Sequence, residues 1–218
     1  MQKLGKQTIK FDHPPTIVDC ATIVGPKESD GPLAKYFDKC LENEMWEEKT
    51  WEKAESKIVK ETVNMAISKS GIPVDKIEYC FAGDLLNQCI SSSFGLRDLN
   101  IPFFGIFGAC STFVEGLSLS SILVENGINY VLTSASSHFC SSEKQFRFPL
   151  ELGNQRPPTS QWTVTGAGAA IIANISKKTN PAQQAIAMSF IFFHFNKRLT
   201  LEPPILATVP ATPDADPF

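Results

Sequence analysis

Two hydrophobic periods alternate along the chain. Residues 16–24, TIVDCATIV, are β-branched and nearly continuous in apolar character, the pattern of a strand covered on both faces. From Trp51 to Gly71 the period changes: Trp51, Ala54, Ile58, Thr62, Met65 and Ala66 recur at helical spacing, and Gly71 suits the C-terminal cap. Residues 77–83 (IEYCFAG) then read as a strand, 85–99 (LLNQCISSSFGLRDL) as a helix and 102–108 (PFFGIFG) as a third strand. Strands alternating with helices over short connections predict a mostly parallel sheet with right-handed crossovers.

The segment after Cys110 breaks the amphipathic pattern. Phe113, Val114, Leu117, Leu119, Ile122, Leu123 and Val124 cover more than one face, which predicts an interior helix. Residues 130–136 (YVLTSAS) read as a fourth strand, 137–160 as a long polar loop and 162–175 (WTVTGAGAAIIANI) as a fifth, Gly-rich strand. Between the first strand and the first long helix, residues 25–50 are polar, and the acidic ENEMWEE run reads as a solvated helix face or a loop. Beyond about Lys178 the character changes again. Phe190, Phe192, Phe193 and Phe195 crowd together, and Pro203, Pro204, Pro210, Pro213 and Pro217 exclude the end of the chain from a central sheet.

Composition narrows the function classes. The 218 residues, 43% hydrophobic and 20% charged, suffice for a substantial core, and a formal charge of -3 gives no general attraction for nucleic acid or acidic membranes. The six cysteines show no CxxC spacing for zinc or redox chemistry, so reduced thiols in a cytoplasmic compartment are expected and no metal or cofactor is predicted. The N-terminal residues lack the apolar core of a signal peptide, and no apolar run reaches the roughly 18 residues of a membrane span. The TGAGA run has neither the GxGxxG spacing nor the GK[ST] of a phosphate loop.

Candidate chemistry centres on Cys110. A strand ending in Gly108-Ala109-Cys110 and turning at once into a buried helix places the thiol where unpaired N–H groups and the helix dipole favour a thiolate. The alternative is a small buried residue that fills space at a tight turn. FGIFGACSTFVEGL, with upstream GDLLNQ (Gly83 to Gln88) and Arg97, resembles the thiolase and ketoacyl-synthase superfamily, whose active cysteine begins a buried helix. Residues 136–169, SSHFCSSEKQFRFPLELGNQRPPTSQWTVTGAGA, are similar to the stage V sporulation protein AD family of endospore-forming bacteria, and that resemblance covers roughly residues 4–176.

The resemblance implies an α/β fold: a thiolase-like half-domain over residues 1–178, with a five-stranded mixed sheet (βαβαβαββ) and helices on both faces. Its fifth strand should run antiparallel to its neighbour, because no crossover helix precedes it. The C-terminal half of the thiolase architecture is expected to be missing. Residues 179–218 are expected to lie outside the fold, disordered or read out of frame, which would leave an apolar face of the buried helix uncovered and the chain prone to aggregate.

The resemblance also implies a non-enzymatic dipicolinic acid-binding protein of the spore uptake complex. Its ligand would be dipicolinic acid, as such or as its calcium chelate. Its partners would be other subunits of a spore membrane complex, with a homodimer as the usual state of the fold, and its place would be cytoplasmic or in the spore, peripheral to the inner membrane. The other readings are a cysteine-dependent acyltransferase and a structural subunit of a membrane-associated complex. Thiolase chemistry needs a base beside the thiol, and none of His13, His138 and His194 lies in a motif resembling the superfamily's later catalytic histidines.

The expected ligand contacts are Cys110, with Ser136, Ser137 and His138 after the fourth strand, and Asp84, Asn87 and Gln88 after the second, where strand ends meet a ligand crevice. Asp84 and Asn87 equally suit caps of the next helix, and His138 equally suits a structural hydrogen-bonded group. Lys144, Arg147 and Arg156, among Phe146, Phe148 and Trp162, could clasp a dicarboxylate or pair with Glu143 and Glu151.

Overall fold

The computed structural model describes residues 1–146 and 163–174. Strands β1 (Gln2–Leu4) and β2 (Thr8–Lys10) form an antiparallel hairpin. The main sheet is built from β3 (Thr16–Val24), β4 (Lys39–Cys40), β5 (Tyr79–Gly83), β6 (Phe103–Gly105), β7 (Tyr130–Ser137) and β8 (Gly166–Ala173), in the order β4-β3-β8-β7-β5-β6. Strand β8 runs antiparallel to both β3 and β7, while β5 is parallel to β6 and β7, and β4 is parallel to β3. The antiparallel fifth strand is therefore present. The sheet has six strands where five were expected, because the two-residue β4 is too short to carry a period.

The helices are α1 (Pro26–Ser29), α2 (Trp51–Ser70), α3 (Ile90–Leu96), α4 (Thr112–Glu125) and α5 (Phe139–Phe146). Helix α2 starts where Thr50, in extended conformation, accepts the Lys53 N–H on its hydroxyl at 3.3 Å. It stops at Gly71, whose left-handed φ of 68° closes the final turn. Helix α3 is shorter than the 85–99 pattern suggests, with single 3-10 turns at Asn87–Cys89 and Arg97–Leu99 on either side. Helix α5 falls in the stretch expected to be loop. Its buried residues are Ser141 and Ser142, so it has no apolar stripe to betray it.

Successive residues of the central strands face opposite cores, as the two-residue period of a strand requires. Cys80, Ala82, Leu132, Ala169 and Ile171 pack with Ile58, Val59, Val63 and Ala66 of α2. Phe81, Val131, Ala170 and Ile172 pack on the other side with Phe113 and Val124 of α4. Helices thus cover both faces of a mixed sheet, as expected.

Helix α4 is buried along one stripe, Thr112, Phe113, Gly116, Ser120 and Val124, while Val114, Leu117, Ser118, Ser121 and Ile122 line a hollow of about 310 Å³ with Gln7, Ile9 and Phe11. The expectations for residues 179–218 lie outside the described residues.

Gly116 sets the approach of α4 to the sheet, since a Cβ there would overlap the Thr133 Oγ1 of β7. Gly116→Ala is expected to cost about 2–3 kcal/mol in urea unfolding. Adding Thr133→Ala should recover on the order of 1 kcal/mol through the coupling of the two sites; strictly additive losses would place the strain elsewhere.

Candidate functional site

Strands β5, β6 and β7 point the same way, so the residues that follow them gather at one edge of the sheet. Gly83 ends β5 with its backbone against the Ile106 carbonyl and the Thr112 methyl, an approach only glycine permits. Asp84 follows, 2% exposed. Its Oδ1 accepts the Leu86 N–H at 2.9 Å, and its Oδ2 accepts the Ser92 N–H and hydroxyl at 2.8 and 2.7 Å. Burial raises its pKa, and the Ser92 and Leu86 donors oppose that rise. Asp84 therefore organises the turn into α3, as the capping alternative anticipates.

Asn87 and Gln88 are exposed. The Asn87 N–H donates to Gln145 Oε1 at 3.0 Å, and Gln145 Nε2 donates to the Leu85 carbonyl at 3.3 Å, which moors this turn to α5. Gln88 and Cys89 hold φ values of 60° and 50°, uncommon for residues with a side chain.

Cys110 sits in a 3-10 turn, Ala109–Ser111, immediately ahead of α4. Its neighbour Ala109 has φ 48°, and Thr112 Oγ1 braces the turn by accepting the Gly108 N–H at 3.1 Å and donating to the Ala109 carbonyl at 2.9 Å. The Cys110 side chain is free and exposed.

The residues at the end of β7 turn inward instead. Ser136 Oγ donates to Glu55 Oε1 at 3.0 Å, and Ser137 Oγ donates to the Val164 carbonyl at 2.5 Å. His138 is 0% exposed. Its Nδ1 accepts the Cys140 N–H at 3.2 Å, so the proton rests on Nε2, which lies 2.9 Å from the Glu44 carbonyl and donates to it. Burial lowers the imidazole pKa and favours the neutral ring, against the smaller opposing effect of Glu44. Among the described residues no cavity joins Cys110 to His138: the Cys110 side chain is exposed, while His138 is buried with its ring against the Glu44 carbonyl. Lys144 pairs with Glu52 of α2 at 2.7 Å; Arg147, Arg156, Phe148 and Trp162 lie outside the described residues.

Glu55 is the residue that the sequence reading missed. It is fully buried on α2, and the signal was its position between Ala54 and Ile58 on the apolar stripe. Among the described residues, no group of three or more His, Cys, Asp or Glu side chains could hold a metal ion, and no helix is long and apolar enough to cross a membrane.

With this geometry fixed, kinship can be stated. The family model described as stage V sporulation protein AD matches residues 5–190. The chain belongs to the stage V sporulation protein AD family. The family's Bacillus subtilis (strain 168) protein of that name is 43% identical over 174 residues, which cover 79% of this chain and 52% of the relative. The chain thus spans about half the length of that relative. Among solved structures, 3-oxoacyl-[acyl-carrier-protein] synthase III from Aquifex aeolicus VF5 aligns with a TM-score of 0.51 at 13% identity, covering 75% of this chain and 55% of its own. A variant of OleA from Xanthomonas campestris aligns with a TM-score of 0.50 at 16% identity, covering 75% and 57%. At these identities the likeness establishes the thiolase-like fold that this family member shares, and the fold alone.

Thiol exposure gives a direct check of the strand-end geometry. Burial pushes the Cys20 thiol up to about 11 and the Cys80 thiol to about 12, whereas Cys40 and Cys110 are exposed. Iodoacetamide at neutral pH should label Cys40 and Cys110 in the folded chain and reach Cys20 and Cys80 only after unfolding. Peptide mass mapping showing Cys110 protected would contradict its placement on the surface.

Proposed function

We propose that this chain is part of a dipicolinic acid-binding sporulation protein that uses the strand-end edge of a thiolase-like sheet for ligand capture and not for acyl transfer. Family membership supports the sporulation role, and the resemblance to dipicolinate-binding members supplies the ligand. The observation that carries the non-enzymatic part is the state of His138. A base for Cys110 must come within hydrogen-bond reach of its thiol. His138, at the neighbouring strand end, is buried and neutral with both ring nitrogens committed to Glu44 and Cys140. The backbone N–H of His13 donates to Glu125, the last residue of α4, which is about 20 Å along the helix from the Cys110 turn at 1.5 Å per residue.

In this reading the exposed Cys110, Asn87 and Gln88 form the protein's side of the crevice, and a dicarboxylate is completed by cationic groups such as Arg147 and Arg156. Dipicolinic acid, free or as its calcium chelate, is the ligand. The protein works beside other subunits of a spore membrane complex, peripheral to the inner membrane and as a homodimer.

Titration calorimetry with dipicolinate on this chain and, in parallel, on the full-length Bacillus subtilis relative tests the binding. Saturable heat from the relative and a weaker response from this chain are expected. Cys110→Ala should weaken binding roughly twofold, and Cys110→Trp by more than about tenfold, or 1.4 kcal/mol. No heat from the relative, or unchanged affinity in both variants, would remove dipicolinate or Cys110 from the site. Incubation with acyl-CoA followed by intact mass measurement should leave the chain unmodified. A thioester on Cys110 would establish the acyltransferase reading instead.

A further inference from the structure

Helix α5 starts directly after His138, and the backbone donors of its first turn have identifiable partners. The Phe139 N–H donates to Thr165 Oγ1 at 3.1 Å, the Cys140 N–H to His138 Nδ1 at 3.2 Å, and the Ser142 N–H to the His138 carbonyl at 3.0 Å. The imidazole therefore acts as the N-cap, an acceptor side chain that meets an N–H group with no partner inside the helix. Its other nitrogen, Nε2, donates to the Glu44 carbonyl of the 41–50 loop at 2.9 Å. One ring thus bridges two elements, and it can do so only while Nδ1 carries no proton.

A proton on Nδ1 turns the acceptor into a donor aimed at the Cys140 N–H, and it sets a positive charge at the positive end of α5. Rotating the ring away from Cys140 would draw Nε2 off the Glu44 carbonyl, because both bonds leave one rigid plane. The charged neighbours divide. Glu44 of the loop and Glu52 of α2 favour the imidazolium, but Glu52 is paired with Lys144 of α5 at 2.7 Å, and Glu44 Oε2 accepts the Cys140 thiol at 3.4 Å. Glu55 of α2 is turned to Ser136 and Ser141, Glu28 of α1 accepts the Thr165 N–H, and Glu143 lies further along α5. Burial outweighs the acids and lowers the pKa of the ring.

We propose that His138 is a positioning residue that acts as a proton-sensitive cap: neutral, it joins the start of α5 to the 41–50 loop, and protonated, it releases the first turn of α5 and with it the Gln145 mooring of the 84–89 turn. Because the folded value lies below the ordinary 6.5, the contribution of the cap is complete above that ordinary value and is lost as pH falls through the folded value. The cap stands on the protein's own hydrogen bonds. Only its effect on ligand capture rests on the dipicolinate reading.

Nitrogen-15 NMR of the chain labelled at its histidine rings tests the cap without any ligand and in the unaltered protein. His138 should be the neutral Nε2–H tautomer at neutral pH and should titrate with a midpoint below 6.5. Amide hydrogen exchange of residues 139–146, corrected for the intrinsic pH dependence, should quicken about fivefold or more as pH falls through that midpoint, while exchange in α2 keeps its course. His138→Asn retains a capping acceptor but has no proton to gain, so its α5 exchange should stay flat. A ring in the Nδ1–H form, a midpoint at or above 6.5, a rise that α2 shares, or the same pH course of α5 in both chains would overturn the proposal. The ring titration and the comparison of α5 with α2 need no variant to fold. Neither involves dipicolinate, so failure of the cap and failure of ligand binding are told apart.

Discussion

The main sheet hangs together through β8, because β3 and β7 do not pair with one another and are joined only through the antiparallel strand between them. Every residue of β8 from Gly166 to Ala173 is buried, so its backbone donors and acceptors must be met by those two neighbours. Its glycines and alanines keep the strand thin. That thinness lets α2 approach from one side and α4 from the other, and the two cores are built outward from it. The β3–β4 pair and the β7–β5–β6 group become one sheet through this strand.

A sheet organised this way fixes where chemistry can gather. With β5, β6 and β7 parallel, the turns after them share one edge, and that edge is held by polar ties more than by apolar contact. The Glu44 carbonyl caps His138, Gln145 of α5 moors the 84–89 turn, Asp84 caps α3, and Glu55 joins α2 to β7 and α5. Hydrogen bonds of this kind are worth little net when made and much when broken in a buried site. The edge therefore depends on these ties being kept. Cys110 stands apart from these ties, exposed on a short turn that Thr112 braces. A thiol so placed can touch a ligand, but no base that could make it a nucleophile lies within hydrogen-bond reach among the described residues.

The thiolase-like fold supplies parallel strand ends and a helix starting beside a cysteine, and by itself it assigns no reaction. In this chain the histidine nearest in the fold's logic is spent on a backbone carbonyl.

The sequence by itself determined the elements whose signals are local and repeated. Helix α2 was legible from its stripe and from Gly71, which only a left-handed residue could replace at the cap. Strands β3, β5 and β7 were legible from their apolar runs, and the direction of β8 followed from the resemblance. Cys110 was expected where the third strand turns into its helix, and the structure puts it in a 3-10 turn just ahead of α4, after β6 has already ended at Gly105. What only the tertiary structure decided was orientation and partnership. Two residues of β4 carry no period, and α5 buries serines, so neither could be seen in a hydrophobic pattern. Ser136, Ser137 and His138 stand at a strand end whichever way they face, and packing against α2, the 41–50 loop and Val164 turned them inward. Glu55 was a single acid on an apolar stripe, and its partners Ser136 and Ser141 lie more than eighty positions away. A pattern read along the chain registers spacing, whereas a buried carboxyl group is defined by the donors that surround it in space.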